Sequence, residues 1–460
     1  MIKIIPCFQA YSYYFYNNFL MSFFPYDDRK EEKVLNRNIK KLLKELTPRD
    51  FEALKSIYDF RCLSLDQIYD RHYKYSQLLQ KEVTKEYLKK KIIKFKRHGI
   101  IEEVDMYKKI PNVYFLTMEG IKLLKEYYDF PDNIYDINKR IHRRGYLTYN
   151  ELILAERQIP HQYNLNEFVL NILKEVDVPT KYEGEKHIKE FVGIRPDGIL
   201  TMYDIDFFLE MDMGTETTKQ LNEKWDHYRS FVNSNEFVMK ERKIVVLFIV
   251  DGIKRIGQRI DLIKDTINNG FIDLVNKDVE IYVNTKDELK RIVFEKIIPQ
   301  TKNANVDINK LKSLLSRKFG YNIASGSKVA AFFGDTDYFL YIRKESDAKR
   351  DFIVEEFFGE PLSTINRIAF WQKQNAIFRE KTGRMAKMIV VCDSEESIFK
   401  NLRSFDLFNT DNVVFTTISR LENNDNLPYA LFNITPTGEI FRYEDEDLNK
   451  RSHEKTLKIN

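Results

Sequence analysis

A multidomain chain of mixed α/β class, α+β taken as a whole, is predicted by three observations. Its 460 residues exceed the size at which a single hydrophobic core stops growing, so two or three domains are expected. Residues 47–128 carry several short helical periods and two β-prone runs, whereas β-prone apolar runs alternate with helical ones beyond residue 164. With 43% hydrophobic and 31% charged residues, the composition is that of a globular protein and excludes a fibrous or largely disordered one.

Residues 1–44 read as an N-terminal extension. The aromatic stretch QAYSYYFYNNFLMSFF is too short for a membrane span and is broken by Asn17 and Asn18. It also lacks the basic start and small-residue cleavage site of a leader, so neither is expected. Either it packs on the body or the protein begins at Met21. The charged run DRKEEKVLNRNIKKLLKEL reads as a leading linker and helix.

A helix is predicted next, with Thr47 as N-cap, Pro48 in the first turn, Asp50 and Glu52 behind it, and an apolar stripe of Phe51, Leu54, Ile57 and Tyr58. Ser64 caps a second, short helix, LDQIYDRHY. A third runs from Thr84 to His98 around Leu88, Ile92 and Phe95, and Gly99 stops it. The runs GIIEEVDMY and NVYFLT, joined through Lys108, Lys109 and Pro111, read as a hairpin, and Thr117 caps a fourth helix, MEGIKLLKEYY. Helix, helix, basic helix, hairpin, helix is the order of a winged helix-turn-helix, placed at residues 45–130.

Residues 131–160 hold turn formers and basic residues without clean periodicity and read as a linker. An α/β domain follows at 161–298, with a helix at 164–176, strands near Thr180–Glu185, Ile194–Met202 and Asp206–Met211, and a helix at Glu216–Val232. The buried strand KIVVLFIV, a helix at 253–268 and the strand VEIYV complete it. A second α/β domain is placed at 305–445 and a tail at 446–460. FLEMDMGTE (208–216) aligns with VEEFFGEP (354–361), Glu210 over Glu355 and Gly214 over Gly359, and the later runs follow in the same order. This echo predicts a duplicated α/β unit. No counterpart of Asp197 stands in the second copy, where Asp335 and Asp337 are the nearest acids, and Arg367 with Trp371 takes the place of Lys224 with Tyr228. The second copy is therefore read as degenerate.

A net charge of +4 names no partner, so the positions of the cations decide. The third helix carries Lys85, Lys89, Lys90, Lys91, Lys94, Lys96 and Arg97 against one acid of its own, Glu86. Placed before a hairpin, such a helix suits a duplex major groove, with cations on phosphates and Lys85, Tyr87, Lys89 and Lys90 nearest the bases. Lys108 and Lys109 would add contacts from the hairpin. The three cysteines are scattered, which points to a reducing, cytoplasmic setting without a zinc site. Motifs for nucleotide hydrolysis, dinucleotide binding and zinc proteolysis are lacking, and the seven histidines form no paired run of the kind a tyrosine relaxase needs.

A second constellation lies in RPDGILTMYDIDFFLEMDMGTE. Asp197 follows Pro196, Glu210 comes thirteen positions on, and Glu210 and Asp212, two apart in a strand, share a face. Such carboxylates, with a lysine, could hold a divalent cation that activates water. The residues resemble the PD-(D/E)XK nuclease superfamily, with Pro196 and Asp197 as the PD and Glu210 as the second acid. Where that pattern has lysine this chain has Asp212, so the lysine would come from the next helix, Lys219 or Lys224. The resemblance implies Asp197, Glu210, Asp212 and Lys224 as catalytic residues and Asp197, Glu210 and Asp212 as ligands of Mg²⁺ or Mn²⁺ if the site is active. The departure weights the reading toward an inactive nuclease-like scaffold.

Taken as an ordered set, LTPRDFEAL, LSLDQI, LKKKIIKFKRHGII, VYFLTMEG, RPDG, FFLEMDMGTE and KWDHYRSF resemble the replication-relaxation family of plasmid and mobile-element proteins over about residues 45–290. The resemblance implies a winged helix joined to a nuclease-like domain, acting on double-stranded DNA in replication or relaxation. Replication or conjugation proteins and a second copy of the chain are the expected partners, and no membrane is. The rival readings are a Mg²⁺-dependent endonuclease and a transcriptional regulator whose α/β domains oligomerise.

Overall fold

The structure is a computed structural model and describes residues 37–457 except 77–80, 83, 108–109, 136–140, 189–190, 192, 241, 277, 302–305, 327–337, 345–349 and 409–411. The stretch holding Met1 and Met21, the hairpin lysines Lys108 and Lys109, and the acids Asp335 and Asp337 all lie outside the described residues. Two compact units divide after Tyr203.

The first unit begins with α1 (Arg37–Glu45) and α2 (Pro48–Phe60). Thr47 and Asp50 cap α2 reciprocally: the Thr47 hydroxyl accepts from the Asp50 N–H, and the Asp50 carboxylate accepts from the Thr47 N–H. Ser64 caps α3 (Leu65–Ile68), which continues as a π turn to Tyr73. Thr84 caps α4 (Lys85–Arg97), whose buried side chains are Leu88, Ile92 and Phe95, and Gly99 ends it at φ +63°. Between α3 and α4, β2 (Tyr75–Ser76) and β3 (Lys81–Glu82) pair antiparallel. The hairpin of β4 (Ile101–Val104) and β5 (Val113–Leu116) is joined by β1 (Leu63–Ser64) on the far edge of β5. α5 (Met118–Tyr128) closes on α2, with the rings of Phe51 and Tyr127 stacked at 3.5 Å. Helical spacing and caps thus place the expected helices of this module within a residue or two, whereas β4 is shorter than the run GIIEEVDMY and the β2–β3 pair was not expected.

Residues 131–160, expected to be irregular, hold a hairpin of β6 (Asn133–Tyr135) and β7 (Ile141–Arg144) and a short α6 (Tyr149–Leu152). They are fastened by Arg61, which is 6% exposed. Its guanidinium donates to the carbonyls of Glu151, Leu152 and Ile153 at 3.2–3.4 Å and faces the Glu185 carboxylate at 3.4 Å. α7 (Ile159–Glu175) starts earlier than the expected residue 164, because Pro160 sits in the first turn, where its missing N–H is not needed. From α7, Asn166 donates to the carbonyls of Phe60 and Cys62, tying the helix to the end of α2. A hairpin of β8 (Thr180–Gly184) and β9 (Gly198–Met202) completes the unit.

The second unit opens with three parallel strands, β10 (Ile205–Asp212), β11 (Lys243–Val250) and β12 (Val279–Thr285). Their connections are α8 (Thr218–Val232), α9 (Asn235–Val238) and α10 (Ile256–Gly270), and α11 (Lys286–Ile292) follows β12. After α12 (Val306–Ser313) comes an eight-stranded sheet in chain order. Its strands are β13 (Asn322–Gly326), β14 (Tyr338–Arg343), β15 (Arg350–Phe357), β16 (Met385–Cys392), β17 (Val413–Thr417), β18 (Phe432–Ile434), β19 (Glu439–Tyr443) and β20 (Arg451–Thr456). β15, β16 and β17 are parallel, and the other pairings are antiparallel. α13 (Leu362–Thr382), α14 (Glu395–Ser404) and α15 (Ile418–Asn423) are its main helices. Residues 446–460, read as a tail, supply β20.

The order β10–α8–β11–α10–β12–α11 is thus repeated as β15–α13–β16–α14–β17–α15. The repetition extends to buried charge. Asp206, at the start of β10, pairs with Lys240 and Arg242, and Asp351, at the start of β15, pairs with Arg343 and Arg384. Glu210 pairs with Lys224 at 2.9 Å, and Glu355 with Arg367 at 2.9 Å. Polar contacts join the repeats: Lys264 of α10 donates to Asn401 of α14 at 2.7 Å, and the Ser363 N–H of α13 to Glu280 of β12 at 2.9 Å.

Candidate functional site

The basic helix is the first candidate. Its apolar stripe holds one face of α4 against the module, which leaves Lys90, Ile93 and Arg97, one turn apart, on the opposite face. Packing consumes much of the remaining charge. Lys91 is bound to Asp50 of α2 at 2.8 Å, Lys94 to Glu45 of α1 at 3.2 Å, Lys96 to Glu103 of β4 at 2.5 Å, and Lys85 to Asp66 of α3. Among the described residues, Lys89 pairs only with Glu86, 3.5 Å away on the exposed surface. Lys90 and Arg97 make no ion pair among the described residues. Tyr87, 45% exposed, is held near the body by Tyr73, with ring centres 6.4 Å apart. At the hairpin, Tyr107 is 78% exposed.

The seven cations therefore differ in what they can do. Asp50 is fully buried, and it also accepts from the Tyr73 hydroxyl at 2.8 Å, so Lys91 belongs to the core rather than to a surface. Lys85, Lys94 and Lys96 keep partial exposure but are half-neutralised. The unopposed positive field lies along Lys90 and Arg97, with Lys89 beside them.

The carboxylate constellation is the second candidate. Glu210 and Asp212 sit on β10, 3% and 1% exposed. Glu210 accepts from Lys224 Nζ at 2.9 Å and from the Tyr228 hydroxyl at 2.7 Å, one donor on each oxygen. Lys224 thus reaches the sheet as expected and also contacts Glu216 at 3.0 Å, whereas Lys219 points outward, 86% exposed, toward Glu223. Asp212 is gripped by Arg259 of α10 through both oxygens, at 2.7 and 2.8 Å. These hydrogen bonds hold the Arg259 guanidinium above its ordinary pKa. Asp197 lies before β9 in the first unit, where its carboxylate faces His161 of α7 at 3.2 Å.

Lys224 and Tyr228 donate to the two oxygens of Glu210, and Arg259 to both oxygens of Asp212, so a divalent cation would have to share these carboxylates with the donors already on them. Among the described residues, no group of three or more His, Cys, Asp or Glu side chains is disposed to hold a metal. Tyr228, one helical turn beyond Lys224 and singled out beside it in the sequence, proves to be the second donor to Glu210. Two partners escaped the sequence reading. Arg259 and His161 left no local signal, because only the packing of α10 and α7 brings them to their acids.

Neither curated proteins nor solved structures yield a match. No described helix is long and apolar enough to cross a membrane. A family model described as Replication-relaxation matches residues 54–247, from within α2 to within β11, a span that holds α4 as well as Asp197, Glu210, Asp212 and Lys224.

Proposed function

We propose that this chain grips double-stranded DNA through a winged-helix module of residues 45–130, in the replication or relaxation of plasmid or mobile-element DNA. In this reading the two α/β repeats serve as a nuclease-like scaffold in a cytoplasmic protein, with replication or conjugation proteins, or a second copy of the chain, as partners. The single observation that carries it is the outward face of α4, where, among the described residues, Lys90 and Arg97 are left without acidic partners. A polyanionic duplex supplies those partners.

The test is salt-dependent binding to a short duplex. Replacing Lys90 and Arg97 together by alanine is expected to weaken binding and to flatten the plot of log K against log salt by about 2, close to one per lost phosphate contact. Lys91→Ala is expected to leave that slope alone, because its amine is spent on Asp50. A double variant with the wild-type slope would refute the assignment.

The pairing of Glu210 with Lys224 favours a second reading, a Mg²⁺- or Mn²⁺-dependent endonuclease. Supercoiled DNA incubated with either cation separates the two. On the scaffold reading, the wild type, Asp197→Ala and Glu210→Ala leave the plasmid equally intact. Nicking by the wild type that both variants abolish would establish the enzyme instead.

A further inference from the structure

Resting on the reading of α4 as the DNA-facing helix, we propose that Ile93 is a specificity residue that recognises the C5-methyl of a thymine. Leu88, Ile92 and Phe95 are buried, yet Ile93 stands 48% exposed on the opposite face. Lys90 precedes it by one turn and Arg97 follows it by one, so the two cations bracket it over about 10 Å of helix axis. Both lack ion pairs among the described residues, whereas Glu86, one turn before Lys90, is engaged by Lys89.

The chemistry of the three side chains then divides. Lys90 and Arg97 have long stems and end in donors, which suits phosphates on either wall of a groove. Ile93 is short, branched and without a polar atom, so it can contribute only apolar contact at the level of the bases. In the major groove the apolar group that distinguishes one base from the rest is the methyl of thymine. An acidic protein surface would satisfy the cations but offers Ile93 no such partner, so charge complementarity together with the central isoleucine favours duplex DNA.

The experiment uses the full chain and a pool of short duplexes with a randomised centre, from which the preferred duplex is enriched. Each thymine of that duplex is then replaced by deoxyuridine, which removes the methyl alone. One position is expected to cost the wild type about fourfold in affinity, the worth of one buried methyl group. Ile93→Ala is expected to bind the parent duplex about fourfold more weakly and to lose nothing further at that position, with its salt slope unchanged. If the enriched duplex is bound but deoxyuridine affects wild type and Ile93→Ala alike at every position, this assignment falls while the DNA-binding reading stands. If no duplex is bound, or if Lys90→Ala and Arg97→Ala leave the salt slope untouched, the underlying reading falls and takes this one with it.

Discussion

Replacing Asp50 by alanine is expected to cost the first unit about 3–5 kcal/mol, the range for leaving one member of a buried ion pair uncompensated. Asp50 is wholly buried, and its carboxylate takes the Thr47 N–H at 2.9 Å, the Lys91 amine at 2.8 Å and the Tyr73 hydroxyl at 2.8 Å. Its loss removes one half of the reciprocal cap of α2, the bond from the Thr47 N–H, and strands Lys91, which is itself mostly buried. Burial by itself would push the carboxyl up, but the bonds from Lys91, Thr47 and Tyr73 outweigh it and hold the pKa below the ordinary value. A depressed carboxylate contributes stability above its unfolded pKa of about 3.9 and loses it as pH falls through the folded value. Denaturant titration at neutral pH should therefore show the full deficit of Asp50→Ala, and the gap to wild type should close in acid. Equal midpoints at neutral pH would show that the network does not hold the module together.

Glu356→Gln, conversely, is expected to stabilise the second unit by about 3 kcal/mol at pH 8. Burial, and next the charge of Glu355, push the Glu356 carboxyl up to about 7, against the pull of Arg367 and Lys243; Glu280 adds to the rise. The folded state thus prefers the protonated form. The cost of ionising it is absent below the unfolded value near 4.5, grows as pH rises and is complete above about 7. Between pH 5 and 8 the wild type should lose stability that the amide variant keeps, so the two denaturation midpoints should diverge with pH. Parallel midpoints across that window would rule the effect out.

Much of the fold was legible because its signals are local. Thr47 with Asp50, Ser64, Thr84 and Thr117 each mark a helix start, and each caps one. The stripe of Leu88, Ile92 and Phe95 names the buried face of α4, and KIVVLFIV emerges as β11 to the residue. The β6–β7 hairpin was not legible, since it is short and its strands bear no clean alternation of apolar and polar residues. The site divides in the same way. Lys224 was within reach of reasoning because a helix following β10 must turn one face to the sheet, but its engagement of Glu216 as well as Glu210 depends on the packing of α8.

The amino-acid sequence by itself determined where most of the helices and strands lie, which face of each is apolar, and the likeness of residues 54–247 to the Replication-relaxation family model. These follow from capping and spacing over a few residues, where chain neighbours are also neighbours in space. Only the tertiary structure decided which charges remain available. Lys91 and Lys90 are adjacent and chemically identical, yet one is bound to an acid 41 residues away and the other is left outward. Asp212 likewise meets an arginine 47 residues further on. Coulombic partners are chosen by distance in space, and it is the packing of whole helices and sheets that sets those distances.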